Sequence, residues 1–196
     1  MATAISQDKQ RQALSRQTRE HMTRIEGLRS LSADQLAWTP PEGGWGVAHV
    51  LEHLVITNDN YLPMMDRLTR EASVGAQPGD GWKPSLAGGL LIKSMTSPRR
   101  FKTPKLFSDV MHPRDNVVAA FTDQLRRIES LLEAADRVSW RHTRTASPVS
   151  RFIPLNLGDC FTVLPAHNER HLGQIDRVMS HTRFPAGSES GHPTPS

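Results

Sequence analysis

The chain has 196 residues, 37% hydrophobic and 22% charged, with a formal net charge of +4 and a single cysteine, Cys160. That fits one soluble globular domain with a single core. It excludes an internal disulfide, and no apolar run approaches the roughly 20 residues that span a bilayer.

The start, Met1 to Lys9, soon becomes charged and is not expected to be a signal peptide. A first long helix is predicted over 6–29, with Leu14, Thr18, His21, Ile25 and Leu28 on one face. His21 shares that inward face, where a hydrogen bond or a place in a central pocket can satisfy it. Ser32 to Gln35 reads as a capping box opening a short helical turn. Pro40-Pro41 and Gly43-Gly44 then break the chain. A second long helix is predicted over 46–70, with Pro63 expected to kink or divide it. The stretch 72–110 is rich in Gly, Pro and Ser, with a short apolar segment at 86–95, and reads as a lid or pocket wall. Its basic cluster, Arg99, Arg100, Lys102 and Lys105, has no interleaved aromatic patch, so it reads as a solvated loop and no nucleic-acid partner is expected.

The third helix follows His112-Pro113, with Pro113 suited to its first turn. Its core face is Val117, Phe121, Leu125, Ile128, Leu131 and Leu132. The fourth runs from about Asn156 to His181, bent by Pro165, and the small polar tail 187–196 reads as disordered. No convincing strand pattern occurs. Four long amphipathic helices predict an all-α protein, a four-helix bundle with a long connection between helices two and three, in a single domain over 1–186.

The most informative residues are His167 and His171, which fall inside the apolar stripe of the fourth helix. Four apart, they sit one turn above each other, a spacing at which two imidazoles can grip one metal ion. A buried histidine that bonds a carbonyl is the plain alternative. A zincin-type protease is disfavoured, because Asn168 stands where that motif places its glutamate. Glu169 comes one residue too late and points about 120° from the stripe. Cys160 lies two turns earlier on the same face, as a conceivable thiolate ligand or a packed thiol. Helix two offers His49 and His53. A helical-wheel count puts His53 on the flank of the stripe, near Val50 and Thr57, and His49 further towards solvent.

Two segments resemble the DinB-like superfamily, specifically the group related to DinB and YfiT. Trp45-Gly46-Val47-Ala48-His49-Val50-Leu51-Glu52-His53-Leu54 is similar to the family's Trp-Ser…Val-Leu-x-His-Leu segment. His167-Asn168-Glu169-Arg170-His171-Leu172-Gly173-Gln174-Ile175 is similar to its His-x-x-x-His-Leu-x-Gln-Ile signature, and 100–104 also resembles members of the group. Gly46 and Val47 depart from the usual Ser and frequent Pro; glycine remains an acceptable N-cap.

The resemblance implies an up-down-down-up bundle with three histidine ligands, here His53, His167 and His171. Zinc or nickel is the expected ion, with iron also suited to imidazole. Three imidazoles leave a coordination position open, as in catalytic sites. Relatives include S-transferases and isomerases that use low-molecular-weight thiols, and some hydrolases. The resemblance therefore implies a metal-dependent, thiol S-transferase-like enzyme activating a small thiol or water; the alternatives are a hydrolase and a non-catalytic, stress-associated metal-binding protein. Asn58, Tyr61 and Asn168 are candidate pocket residues. Ile56 and Met64, apolar but off the stripe of helix two, suggest a homodimer, and the cysteine usage suggests the cytoplasm.

Overall fold

The computed structural model describes residues 5–72, 81–97 and 107–186. The tail 187–196, the basic cluster and the 100–104 resemblance lie outside them. The described chain is mostly helical with two small sheets. Its order is β1 (Ile5–Ser6), α1 (Gln7–Leu28), α2 (Ala33–Ala37), α3 (Val47–Glu71), β2 (Gly81–Trp82), α4 (Leu86–Thr96), α5 (Val117–Ala134), β3 (Arg144–Ser147), β4 (Ser150–Asn156) and α6 (Leu157–Met179).

The four long helices follow the predicted stripes. On α1, Leu14, Thr18, His21, Ile25 and Leu28 are all buried. The capping box opens α2, with Ser32 Oγ accepting from Gln35 N at 3.2 Å and Gln35 Oε1 from Ser32 N at 2.9 Å. Pro63 does not divide α3. It is exposed on the solvent side, while Tyr61, Leu62, Met65 and Leu68 keep both halves packed into one core. α1 packs on α5 and α6, α3 packs on the same two helices, and α4 lies against α6 and β4.

Three expectations are corrected. The mostly helical fold also carries strands that the sequence pattern does not predict, β1 pairing with β2 and β3 with β4, both antiparallel. The β3–β4 hairpin escapes a sequence reading for physical reasons. Its turn is Pro148-Val149 rather than a glycine dipeptide, Pro154 interrupts the second strand, and its register shifts at Ala146/Ser147. Secondly, 86–95 is not merely an apolar stretch but a helix, N-capped by Ser85, whose Oγ accepts from Gly88 N at 2.9 Å. Thirdly, α5 begins at Val117, leaving Pro113 outside it. The buried carboxylate of Glu52 accepts from Arg114 N at 3.0 Å and from Arg114 Nη2 at 2.9 Å, which ties 113–116 into a turn before the helix can start.

Around the start of α6, packing is dense. Asn156 and Asp159 form its capping box, and Trp82 Nε1 donates to Asn156 Oδ1 at 2.9 Å. Trp140 packs between Trp82, edge-on at 6.3 Å between ring centroids, and Phe161, tilted at 4.9 Å. Gln7 stitches α1 to this region, donating to Val138 O at 2.9 Å and accepting from Trp140 N at 3.0 Å. These contacts fix α6, and α6 carries two of the three histidines that matter.

Candidate metal centre

His53 of α3 and His167 and His171 of α6 converge, each offering a nitrogen within 4.8 Å of the others'. His53 and His167 are buried and His171 is half-buried. Of the two histidines on α3, it is His53 that joins this group. His49 is half-buried, outside the cluster, and its Nδ1 has no hydrogen-bond partner among the described residues.

Hydrogen bonds orient two of the rings. His53 Nδ1 lies 2.8 Å from the carbonyl of Phe107, and His171 Nδ1 lies 3.0 Å from Gln174 Oε1. Both partners accept, so both rings carry their proton on Nδ1 and turn a bare Nε2 inward; the tautomers follow from the partners. Second partners of this kind commonly orient histidine ligands. His167 Nδ1 is buried with no partner among the described residues, and its Nε2 stands 3.1 Å from His53 Nε2. Two nitrogens on a tetrahedral zinc at about 2.05 Å lie roughly 3.3 Å apart, so this pair already has nearly ligand spacing. The donor set fits a divalent first-row ion.

Burial keeps these imidazoles neutral. It pushes the pKa of His167 well below the ordinary value, with His171 and His53 adding to the effect, and that of His171 to about 3. His53 is lowered as well, again by burial, despite the opposing bond to Phe107. Neutral imidazole is the form that binds metal. The sign for stability follows. The unfolded chain takes up these protons first as pH falls below about 6.5, so the metal-free protein keeps this contribution above that pH and loses it on descent towards the folded values. Urea unfolding of chelator-treated protein should show stability lower at pH 5 than at pH 7.5, by about 1–2 kcal/mol from His171, with His167 acting in the same direction. A flat profile would contradict the buried, neutral assignment. Metal release should likewise begin below pH 6.5 rather than at it.

The remaining candidates separate cleanly. His21 is wholly buried and its Nε2 lies 3.0 Å from Glu169 Oε2, so it takes the hydrogen-bonded role. Glu169 also binds Arg24 at 3.0 Å and lies outside the histidine cluster. Cys160 is buried, outside the cluster, and burial raises its pKa to about 12, as fits a packed thiol. Asn58 and Asn168 are fully buried, with no hydrogen bond to either amide atom among the described residues.

Tyr61 lines a cavity of about 1770 Å³ that His53, His167 and His171 also face. Its hydroxyl is 3.4 Å from Ser147 Oγ, and burial pushes its pKa to about 12, so it stays a proton-bearing donor. Leu91, Ile92 and Met95 of α4 supply one wall, and Trp45 another. The Trp45 ring lies 5.1 Å from that of His53 and 6.4 Å from that of His171.

Two contributors were not singled out by sequence. Gln174 lay within the quoted signature, and its i+3 spacing from His171 was the available signal. The Phe107 carbonyl had none, since any residue carries one.

A mostly helical chain with three histidines converging from two helices beside a large cavity defines a protein with a possible metal site. The chain belongs to the DinB superfamily, whose family model matches residues 14–175. No curated protein and no solved structure matches it significantly. No helix among the described residues is long and apolar enough to cross a membrane.

Proposed function

We propose that His53, His167 and His171 bind one divalent first-row ion, with zinc or nickel ahead of iron, and that the site activates a small thiol or water in an S-transferase-like reaction. The observation that carries this reading is the convergence of three neutral imidazoles on an open cavity, with no fourth protein ligand in the group among the described residues. A bound ion there supplies Lewis acidity, lowering the pKa of a coordinated thiol or water.

The chain's own part is to orient and to shield. Phe107 O and Gln174 Oε1 fix two ring orientations, and Trp45 covers the histidines on one side. Tyr61 offers a hydroxyl that burial keeps protonated, within the same cavity. Metal-loaded protein should consume a small thiol together with a soft electrophile, followed as thiol loss. A screen in which only ester or amide cleavage appears would favour the hydrolase. Stoichiometric metal without any turnover would favour the non-catalytic stress-associated reading.

The finer architecture belongs to the same reading. The pairwise packing of α1, α3, α5 and α6 supports an up-down-down-up four-helix bundle, and the 14–175 match supports one domain over 1–186. We also place the protein in the cytoplasm, as the lone buried thiol suggests. The case for a homodimer moves to a different surface. Ile56 and Met64 are half-buried against the core, whereas Leu86 and Leu90 on α4 and Phe152 on β4 are exposed, at 98%, 71% and 78%. Exposed apolar groups of this size favour pairing of subunits. Light scattering at tens of micromolar should give twice the chain mass, and a monomer mass rejects the dimer.

A further inference from the structure

Among the described residues the cavity lining carries two carboxylates, Glu42 and Glu169, and two guanidiniums, Arg170 and Arg177, but these do not pair with each other. Glu169 is held by His21 and Arg24, and Glu42 lies 3.3 Å from His181 Nε2. Arg170 Nη1 reaches the carbonyl oxygens of Met95 and Ser97 near the end of α4. Arg177 is different. It lines the cavity, is exposed, and has no carboxylate within ion-pair distance among the described residues. The neighbouring Asp176 is taken by Arg24 at 2.7 Å.

The position of this guanidinium is informative. Helical side chains lean towards the N-terminus of their helix. The Arg177 side chain does so, lying back over the preceding turn with Nη1 3.8 Å from where a Cβ on Gly173 would stand. Gly173 is two residues beyond His171, so the cation sits along the cavity wall on the approach to the histidines. His171, Gln174 and Arg177, at intervals of three on α6, all line the cavity. The Gln174 oxygen is committed to His171, which leaves its amide NH2 as a second donor beside the guanidinium.

We propose that Arg177 is the specificity-determining residue of the cavity and binds a carboxylate or phosphate group of the substrate while its reacting end lies at the three histidines. A guanidinium presents a planar pair of N–H donors that match those anions. The assignment rests on the metal reading. Three neutral ligands leave a divalent ion's charge uncompensated, so the ion and Arg177 together favour an anionic occupant over a neutral or cationic one. The substrate is therefore a small anion-bearing molecule, with the anion held at a distance from the reacting atom.

Calorimetric titration of the purified, metal-loaded protein with succinate and, separately, inorganic phosphate tests this. Wild type should bind at least one of the two at millimolar concentrations. Arg177→Met, which keeps the stem and removes the charge, should bind about tenfold more weakly or worse, and Arg177→Lys should recover part of the loss. Arg141→Met, at an exposed site away from the cavity wall, should bind as wild type does. Metal content and thermal midpoint should match across all four proteins. The proposal is overturned if wild type takes neither anion, if Arg177→Met binds as tightly as wild type, or if Arg141→Met weakens binding equally. If wild type carries no metal yet Arg177→Met still loses the anion, the metal reading falls and the anion site stands. Full metal content with anion binding indifferent to Arg177 removes the anion site alone.

Discussion

Replacing His167 with alanine should abolish stoichiometric metal binding while leaving the helices formed. His167 is buried, and its Nε2 lies 3.1 Å from His53 Nε2, so alanine there removes a nitrogen that already stands at nearly ligand spacing. The helices are held by other contacts, including the Trp82–Trp140–Phe161 cluster and the stripes of α1, α3 and α5. Metal analysis after dialysis should give about one ion per chain for wild type. His53→Ala, His167→Ala and His171→Ala should each fall by a factor of ten or more, on the order of what losing one of three ligands costs. His49→Ala should keep its metal, and circular dichroism should show helix retained in every variant. Should His49→Ala empty the site while His53→Ala does not, the α3 ligand is wrongly assigned. Wild-type protein that takes up no transition metal above pH 7 would leave these three as hydrogen-bonded histidines without a metal role.

The second large effect concerns Gly46, where this chain departs from the serine expected of its family. Gly46 is the N-cap of α3, with extended backbone at φ −81° and ψ −177° that any residue can adopt, so conformational freedom is not the reason for glycine. Space is the reason, because a Cβ here would overlap the backbone carbonyl of Trp38. A carbonyl held in the main chain cannot swing aside as a flexible side chain does. Gly46→Ser, although it would restore the familiar residue and add a capping hydroxyl, should therefore destabilise the protein. Overpacking of this kind costs about 1–3 kcal/mol, which exceeds the few tenths by which serine outranks glycine as a cap. Chemical unfolding measures the difference. A neutral or stabilising Gly46→Ser would mean that the 38–46 turn relaxes freely.

Much of this was legible in the chain itself, where periodicity carried it. The stripes on α1, α3, α5 and α6 repeat at 3.6 residues and bury as expected, because a helix that must cover a core shows it in every turn. The two histidines on α6 shared that periodicity, so their inward direction could be read. What was not legible depends on partners distant in sequence. The late start of α5 is set by Glu52, which lies 62 residues from Arg114. The hairpin of β3 and β4 has no alternation to reveal it, and its strands are only 4 and 7 residues long. Glu169 was read as pointing away from the stripe, and it does leave the cluster, yet it is captured by His21 and Arg24 on α1, a contact that needs the packing of α1 on α6.

The acceptor that sets the tautomer of His53 is a main-chain carbonyl, that of Phe107. Every amino acid brings the same oxygen to that place, so the chemistry of the contact does not depend on which side chain occupies position 107. What the contact depends on is chain path. Phe107 is buried at the head of the segment that runs into the Glu52-bound turn at Arg114, so its carbonyl is located by the length of backbone between two anchors. Insertions and deletions between 107 and 114, rather than substitutions, are then the changes to which the His53 proton answers. A centre built this way can keep its histidine chemistry constant while the residues along that stretch drift.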